Sequence, residues 1–347
     1  MNFLASTDPS YPILRSLIGV IGLLAIAYFL SSNRKKINPR IVLGGILLQL
    51  TIAFGVLKIG WVEDLFGWVA HLFAVALQVS VEASAFVFGP LADLGSMNEV
   101  FSGQGFVFAF MALPSILFFS ALSSLLYYFG ILQVVVQGMA WVMSRIMRLS
   151  GAESLAAAAN VFVGQTEAPL VVKPYVSTMT RSELLALMVG GMATIAGSVF
   201  AIYMGMLGGE SETERLAFGK FLLCASAMNA PAALLLAKIL MPEEESVNTA
   251  IKVSQQSMGR NPIDALANGT TQGLKLALNV GAMLISFYAL ILLINYALAY
   301  LGTFSIGDGG NLNQWVASAT NGGFEKLSLQ AIFGLIFMKL KHILSKF

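Results

Sequence analysis

Apolar runs of about twenty residues, separated by short polar loops, constrain this chain more than any other feature. Ile13–Ser31, Ile41–Ile59, Phe106–Phe129, Ser182–Leu207, Phe218–Leu240 and Met283–Leu301 each have the length needed to cross a hydrocarbon core of ~30 Å. In lipid, only helices and closed barrels satisfy their backbone hydrogen bonds internally. The length of these runs therefore predicts an all-α integral membrane protein with several spans. Composition agrees: 57% of the residues are hydrophobic and 11% charged, whereas soluble domains carry about 25% charged residues. A net charge of +2 gives no bulk electrostatic basis for a nucleic-acid partner. A single cysteine, Cys224, excludes an internal disulfide, and His71 and His342 match no metal-ligand spacing.

Charge sets the expected topology. The loop Asn33–Arg40 carries four basic residues and no acid. The positive-inside rule places it in the cytoplasm and the N-terminus outside. The first eleven residues lack a positive n-region, so Ile13–Ser31 reads as a retained span and not a cleaved signal. Trp61–Met97 mixes Trp61, Trp68, His71 and four acids into apolar sequence. It suits an amphipathic helix at the outer interface followed by a loop ending near Gly89–Pro90, with a spanning helix as the other geometry. Pro114 should kink Phe106–Phe129. Gln133–Leu149, with Arg145 and Arg148, reads as a cytoplasmic interfacial helix. Gly208–Arg215 carries three glutamates and fits an outer loop, and Met241–Asp264 fits a polar cytoplasmic linker. Ala265–Ala282 reads as a small-residue helix with Gln272, Lys275 and Asn279, followed by Met283–Leu301 as a separate crossing. Thr303–Gly323 reads as an outer loop, and Leu327–Phe347 begins as an apolar helix.

One stretch breaks the apolar pattern. Gly151–Lys173 holds Asn160, Gln165, Thr166 and Glu167 among small and apolar residues, with Gly164 and Pro169 bracketing the polar group. Polar groups at membrane depth are costly unless they are partnered or functional. Basic residues on both sides, Arg145 and Arg148 before it and Lys173 and Arg181 after it, make it a re-entrant hairpin from the cytoplasm. Its halves, about residues 155–163 and 168–176, are too short to span. Gln165, Thr166 and Glu167 offer donors and acceptors that could read the edge of a planar heterocycle. Asn160 could place an oxygen on a hard cation such as Na⁺. The bland alternative is a set of capping groups for the hairpin tip. Gly190, Gly191 and Gly197 in the next span read first as close packing, with local unwinding to free carbonyls as the alternative.

Val163-Gly-Gln-Thr-Glu-Ala-Pro-Leu-Val-Val172, followed by Lys173-Pro-Tyr175, resembles the first re-entrant hairpin of the concentrative nucleoside transporters. Ser31-Ser-Asn-Arg-Lys35, Leu117-Phe-Phe-Ser-Ala-Leu122 with Leu126-Tyr-Tyr128, Gly190-Gly-Met-Ala-Thr-Ile-Ala-Gly197 and Leu276-Ala-Leu-Asn-Val-Gly-Ala-Met-Leu284 are similar to the bacterial members. The resemblance covers roughly residues 12–337. It implies a Na⁺-coupled nucleoside importer of the bacterial inner membrane, a homotrimer whose transport unit moves as an elevator. It assigns Gln165, Thr166 and Glu167 to the nucleobase and Val199 and Leu276 to apolar contacts with it. It assigns Na⁺ to the side chains of Asn160 and Thr194 and the carbonyls of Val163 and Ile195. On this reading the glycine-rich span is unwound for the ion.

The family pattern continues past Phe337 into a second hairpin and further spans, which this sequence does not contain. The expected division is residues 1–104 (first spans and outer interfacial helix), 105–149 (scaffold span and cytoplasmic interfacial helix) and 150–240 (transport unit). Then come 241–264 (linker), 265–337 (span and start of a second hairpin) and 338–347, a tail outside the family pattern. The expectation is a transporter, not an enzyme, with activity impaired by the missing ribose-side groups. Proton coupling and a non-transporting membrane scaffold subunit are the competing readings.

Overall fold

Proline, glycine and capping side chains decide where the helices of this chain start and stop. The computed structural model describes residues 12–101, 105–162, 164–165, 168–208, 211–245, 259–304 and 310–344. They form helices and connecting turns, with no β-strand among the described residues. The chain divides into two compact units, residues 1–276 and 277–347.

The first unit begins with α1 (Pro12–Phe29) and α2 (Pro39–Lys58), joined by a turn through the basic loop. Asn38 caps α2 by accepting from Arg40 N, and Pro39 opens it. α3 is a continuous helix, Gly60–Phe88, that stops at Gly89 with φ +61°, a left-handed value glycine adopts without strain. Trp61 and Trp68 on it are both exposed. With the short α4 (Leu94–Val100) it forms a stretch long and apolar enough to cross a membrane, so the spanning geometry stays open beside the interfacial one. The expected kink at Pro114 is a break between α5 (Phe108–Met111) and α6 (Leu113–Tyr128). α7 (Ile131–Met147) ends at Arg148 in a left-handed conformation.

The hairpin begins earlier than the sequence suggests. α8 is Gly151–Asn160, four residues ahead of the expected start. Its cause is local: Ser150 and Glu153 form a reciprocal capping box, in which Glu153 N donates to Ser150 Oγ at 3.2 Å and Ser150 N to Glu153 Oε1 at 2.8 Å. The second half is α9 (Ala168–Val171), followed by a 3₁₀ turn over Lys173–Thr178. The span at 182–207 is two helices, α10 (Arg181–Ala193) and α11 (Gly197–Leu207). α12 (Glu212–Leu240) contains Pro231 and lies at the centre: 67% of its most apolar window is buried in the protein, against 33% for α2. All ten residues of α8 are buried, against α7, α10 and α12. Its run of four alanines lets those helices approach closely, which matters because lipid supplies no hydrophobic drive between helices.

α13 (Pro262–Leu301) corrects the two-element reading of 265–301: it is one 40-residue helix. Gln272, Lys275 and Asn279 suggest a boundary by their polarity, but the backbone ladder does not depend on it. Only 6% of its most apolar window is buried, so most of its surface is left for lipid or a partner. Within the first unit, a Cβ at Gly273 would lie 2.8 Å from Leu117 Cα, and one at Gly269 2.8 Å from Ala121 Cα, so glycine lets α13 rest directly on the backbone of α6.

In the second unit, α13 is followed by α14 (Leu312–Ala319) and α15 (Leu329–Leu344). α14 corrects the reading of Thr303–Gly323 as loop; Asn311 and Gln314 form the capping box that starts it. Two asparagines tie this unit together. Asn313 donates to Ala299 O at 3.0 Å and accepts from Leu327 N at 2.8 Å. Asn295 donates to Gln330 Oε1 and accepts from Leu329 N, both at 2.9 Å.

Candidate substrate and ion site

Two interruptions meet in the first unit: the hairpin tip after α8 and the gap between α10 and α11. At the gap, Thr194 (φ −106°, ψ 160°) and Ala196 (φ −62°, ψ 146°) are extended. At the tip, Gly164 takes φ +87°, which an L side chain tolerates poorly. The two backbones touch where side chains are absent. Gly197 N donates to Phe162 O at 2.9 Å, and a Cβ at Gly197 would fall 2.7 Å from that same oxygen. A Cβ at Gly164 would lie 2.7 Å from Ala196 Cβ, and one at Gly191 2.9 Å from Gln165 Cβ. The glycines of this span therefore do both things the sequence allowed: they permit close packing, and the helix is interrupted beside them.

Asn160 ends α8 with 1% of its surface exposed. Its Nδ2 lies 3.3 Å from the position a Gly190 Cβ would take. Its Oδ1 is buried without a hydrogen-bond partner among the described residues. Thr194 Oγ1 donates to Gly190 O at 2.9 Å, which commits the hydroxyl proton and leaves the oxygen lone pairs for another donor or a cation. Ala193 O is taken by Asn229 Nδ2 of α12 at 2.8 Å. Neutral oxygens near a deeply buried, unpartnered carbonyl suit a hard monovalent cation better than a proton, because none of these groups titrates.

Val163, Thr166 and Glu167 lie outside the described residues. Gln165 is exposed at the tip, while Ile195 and Val199 are half-buried at and just after the gap. Ile195 packs with Phe200, Met204 and Leu223. Leu276 is half-buried on α13, one turn beyond the Gly273 contact with α6. A separate cavity of about 470 Å³, lined among others by His71, Gln78, Glu82, Met111 and Arg215, includes no described residue of the hairpin.

Lys238 is a buried charge that no motif in the sequence singles out. It sits in the last turn of α12 with 3% of its side chain exposed, 2.9 Å from Glu153 Oε2 and 3.0 Å from Glu243 Oε2. It also donates to Ser182 Oγ at 2.9 Å. An ionisable residue inside an otherwise apolar span was the available signal. Burial works against the charge of Glu243, but the Lys238 ammonium and the Thr180 hydroxyl outweigh it and hold the carboxyl below the usual range.

Three family descriptions match the chain: the N-terminus of Na⁺-dependent nucleoside transporters at residues 18–91, their C-terminus at 221–345, and a nucleoside recognition gate at 109–210. An uncharacterized transporter of Haemophilus influenzae is 42% identical over 96% of this chain and 72% of its own. The chain belongs to the Na⁺-dependent nucleoside transporter family. The nucleoside permease NupC of Helicobacter pylori is 37% identical over 81% of this chain and 64% of its own. The solved structure of CNTnw in an inward-facing substrate-bound state superposes with TM-score 0.76 at 40% identity, covering 88% of this chain and 71% of that one. A CNTnw variant in an outward-facing state gives TM-score 0.78 at 39% identity, covering 94% and 72%. Both interruptions lie inside the range of the nucleoside recognition gate. The C-terminal family match reaches residue 345 and so takes in most of the tail, 338–347, that the sequence reading set apart.

Proposed function

We propose that this chain is a Na⁺-coupled nucleoside symporter that imports nucleosides across the bacterial inner membrane, with its N-terminus outside. It is a carrier and not an enzyme. One observation carries the ion side of this reading: the buried Oδ1 of Asn160, unpartnered among the described residues, beside the interrupted span of a Na⁺-dependent nucleoside transporter family member. Na⁺, transported here as a co-substrate, binds between Asn160, Thr194 and the carbonyls of Val163 and Ile195. Gln165, Thr166 and Glu167 hydrogen-bond the nucleobase, and Val199 and Leu276 contact its apolar face. Placing both ligands at the same two interruptions couples them: an ion that orders the tip lowers the ordering cost of nucleoside binding. The hairpin and the broken span travel together in an elevator movement, within a homotrimer.

The test is uptake of radiolabelled uridine into proteoliposomes holding the purified chain. An inward Na⁺ gradient is expected to drive accumulation, against the impaired activity expected from the sequence, and replacing Na⁺ by choline to abolish it. Uptake that follows an imposed pH gradient and ignores Na⁺ would replace this reading with proton coupling. A stable oligomer with neither uptake nor uridine binding would favour the scaffold reading.

A further inference from the structure

Lys238 reaches both elements that end in the candidate ion site. Through Glu153 it holds the first turn of α8, and through Ser182 Oγ the first turn of α10. The far end of α8 is Asn160, and the far end of α10 is the gap at Thr194. α8 is ten residues long, a rod of about 15 Å. A rod fixed at one end and enclosed along its length has its other end placed as well.

The rest of the cluster reinforces the clamp. Ser182 Oγ donates to Met241 O at 2.6 Å, closing α10 onto the end of α12. Thr180 and Glu183 form the capping box that starts α10, and Thr180 Oγ1 also donates to Glu243 Oε2 at 2.9 Å. Ser32 N donates to Leu240 O at 2.8 Å, and Asn33 Nδ2 to Glu244 Oε1 at 2.7 Å, bringing the α1–α2 loop to the same end. Glu153 is doubly committed: Oε1 accepts from Ser150 N and Oε2 faces Lys238. One side chain thus closes the helix cap and the ion pair together.

We infer that Lys238 is a positioning residue for the transport site: through Glu153 and Ser182 it sets the register of α8 against α10, and so the placement of Asn160 beside Thr194. The inference rests on the Na⁺ reading above for its functional consequence, but the placement can be measured without Na⁺. Glu153→Gln breaks the ion pair and leaves Oε1 able to accept from Ser150 N. Lys238→Met removes the ammonium and keeps an unbranched stem one atom shorter.

The test places a single reporter, Ala159→Cys, in a Cys224→Ser background of the full chain. Ala159 is fully buried, so the reporter should react slowly with N-ethylmaleimide. Glu153→Gln and Lys238→Met are each expected to speed labelling at least tenfold. In the parent background they should raise the NaCl concentration giving half-maximal thermal stabilisation at least fivefold. Should Lys238→Met fail to fold, Glu153→Gln carries the test alone. Folded variants that label at the parental rate overturn the inference, and so does a lowered melting temperature with labelling and Na⁺ response both unchanged. If labelling accelerates while the parent shows no Na⁺ response, the positioning role stands and the Na⁺ reading falls.

Discussion

At the level of single residues, the site rests on what is missing as much as on what is present. Asn160 carries a buried acceptor with no described partner. An unsatisfied buried polar group costs about 1–3 kcal/mol. Asn160→Leu, close in volume, removes that cost together with the ligand. It should therefore raise the melting temperature in choline and erase the gain that wild type shows on adding NaCl. A differential scanning fluorimetry series in both salts checks this; a variant still stabilised by Na⁺ would release Asn160 from its proposed role. The candidacy of Asn160 was legible in the sequence because an amide is conspicuous among alanines. Its orphaned oxygen was not, because that depends on what faces it across the packing.

At the level of elements, both ends of the hairpin's first helix are specified, one by a capping box and one by the turn at Gly164. The capping box was readable as Ser150-Gly-Ala-Glu153, as was that of α14 in Asn311-Leu-Asn-Gln314, yet hydropathy drew attention elsewhere. The unwinding of the span at 182–207 was open in the sequence because small residues serve both tight packing and helix breaks; contact with the tip resolves it. The α12 end supplies a pH signature. Glu243 is held below the ordinary carboxylate range of about 4.3 by Lys238 and Thr180, against the opposing effect of burial. A carboxyl depressed in the folded state binds fewer protons than its unfolded counterpart. Its contribution is complete above the unfolded value and is lost as pH falls through the folded one. Melting temperatures of wild type and Glu243→Gln should therefore separate at pH 7, with wild type the more stable, and converge as pH falls below the ordinary carboxylate value and through the depressed one. Parallel curves across that range would show that Glu243 makes no such contribution.

For the whole molecule, the sequence was most informative about class and least about continuity. Long apolar runs made a helical membrane protein unavoidable, and the break at the hairpin tip was visible in advance. The unbroken α13 was not, since three polar side chains mimic a boundary that the backbone ignores. The Lys238 cluster was also hidden, because its members come from three separate stretches of chain: Glu153, Ser182, and Lys238 with Glu243. No spacing rule joins residues so far apart. The site too is assembled from distant pieces, and the bond from Gly197 N to Phe162 O joins them through main chain alone. That bond has a kinetic consequence. In a water-poor interior, parting tip from gap exposes one donor and one acceptor at once. The two interruptions should therefore open together or not at all. In native-state hydrogen exchange, the amides of Gly197 and its neighbours should share one opening free energy with those of Ala159–Phe162. Two clearly different values would mean that each break breathes alone, and that loosening one leaves the other closed.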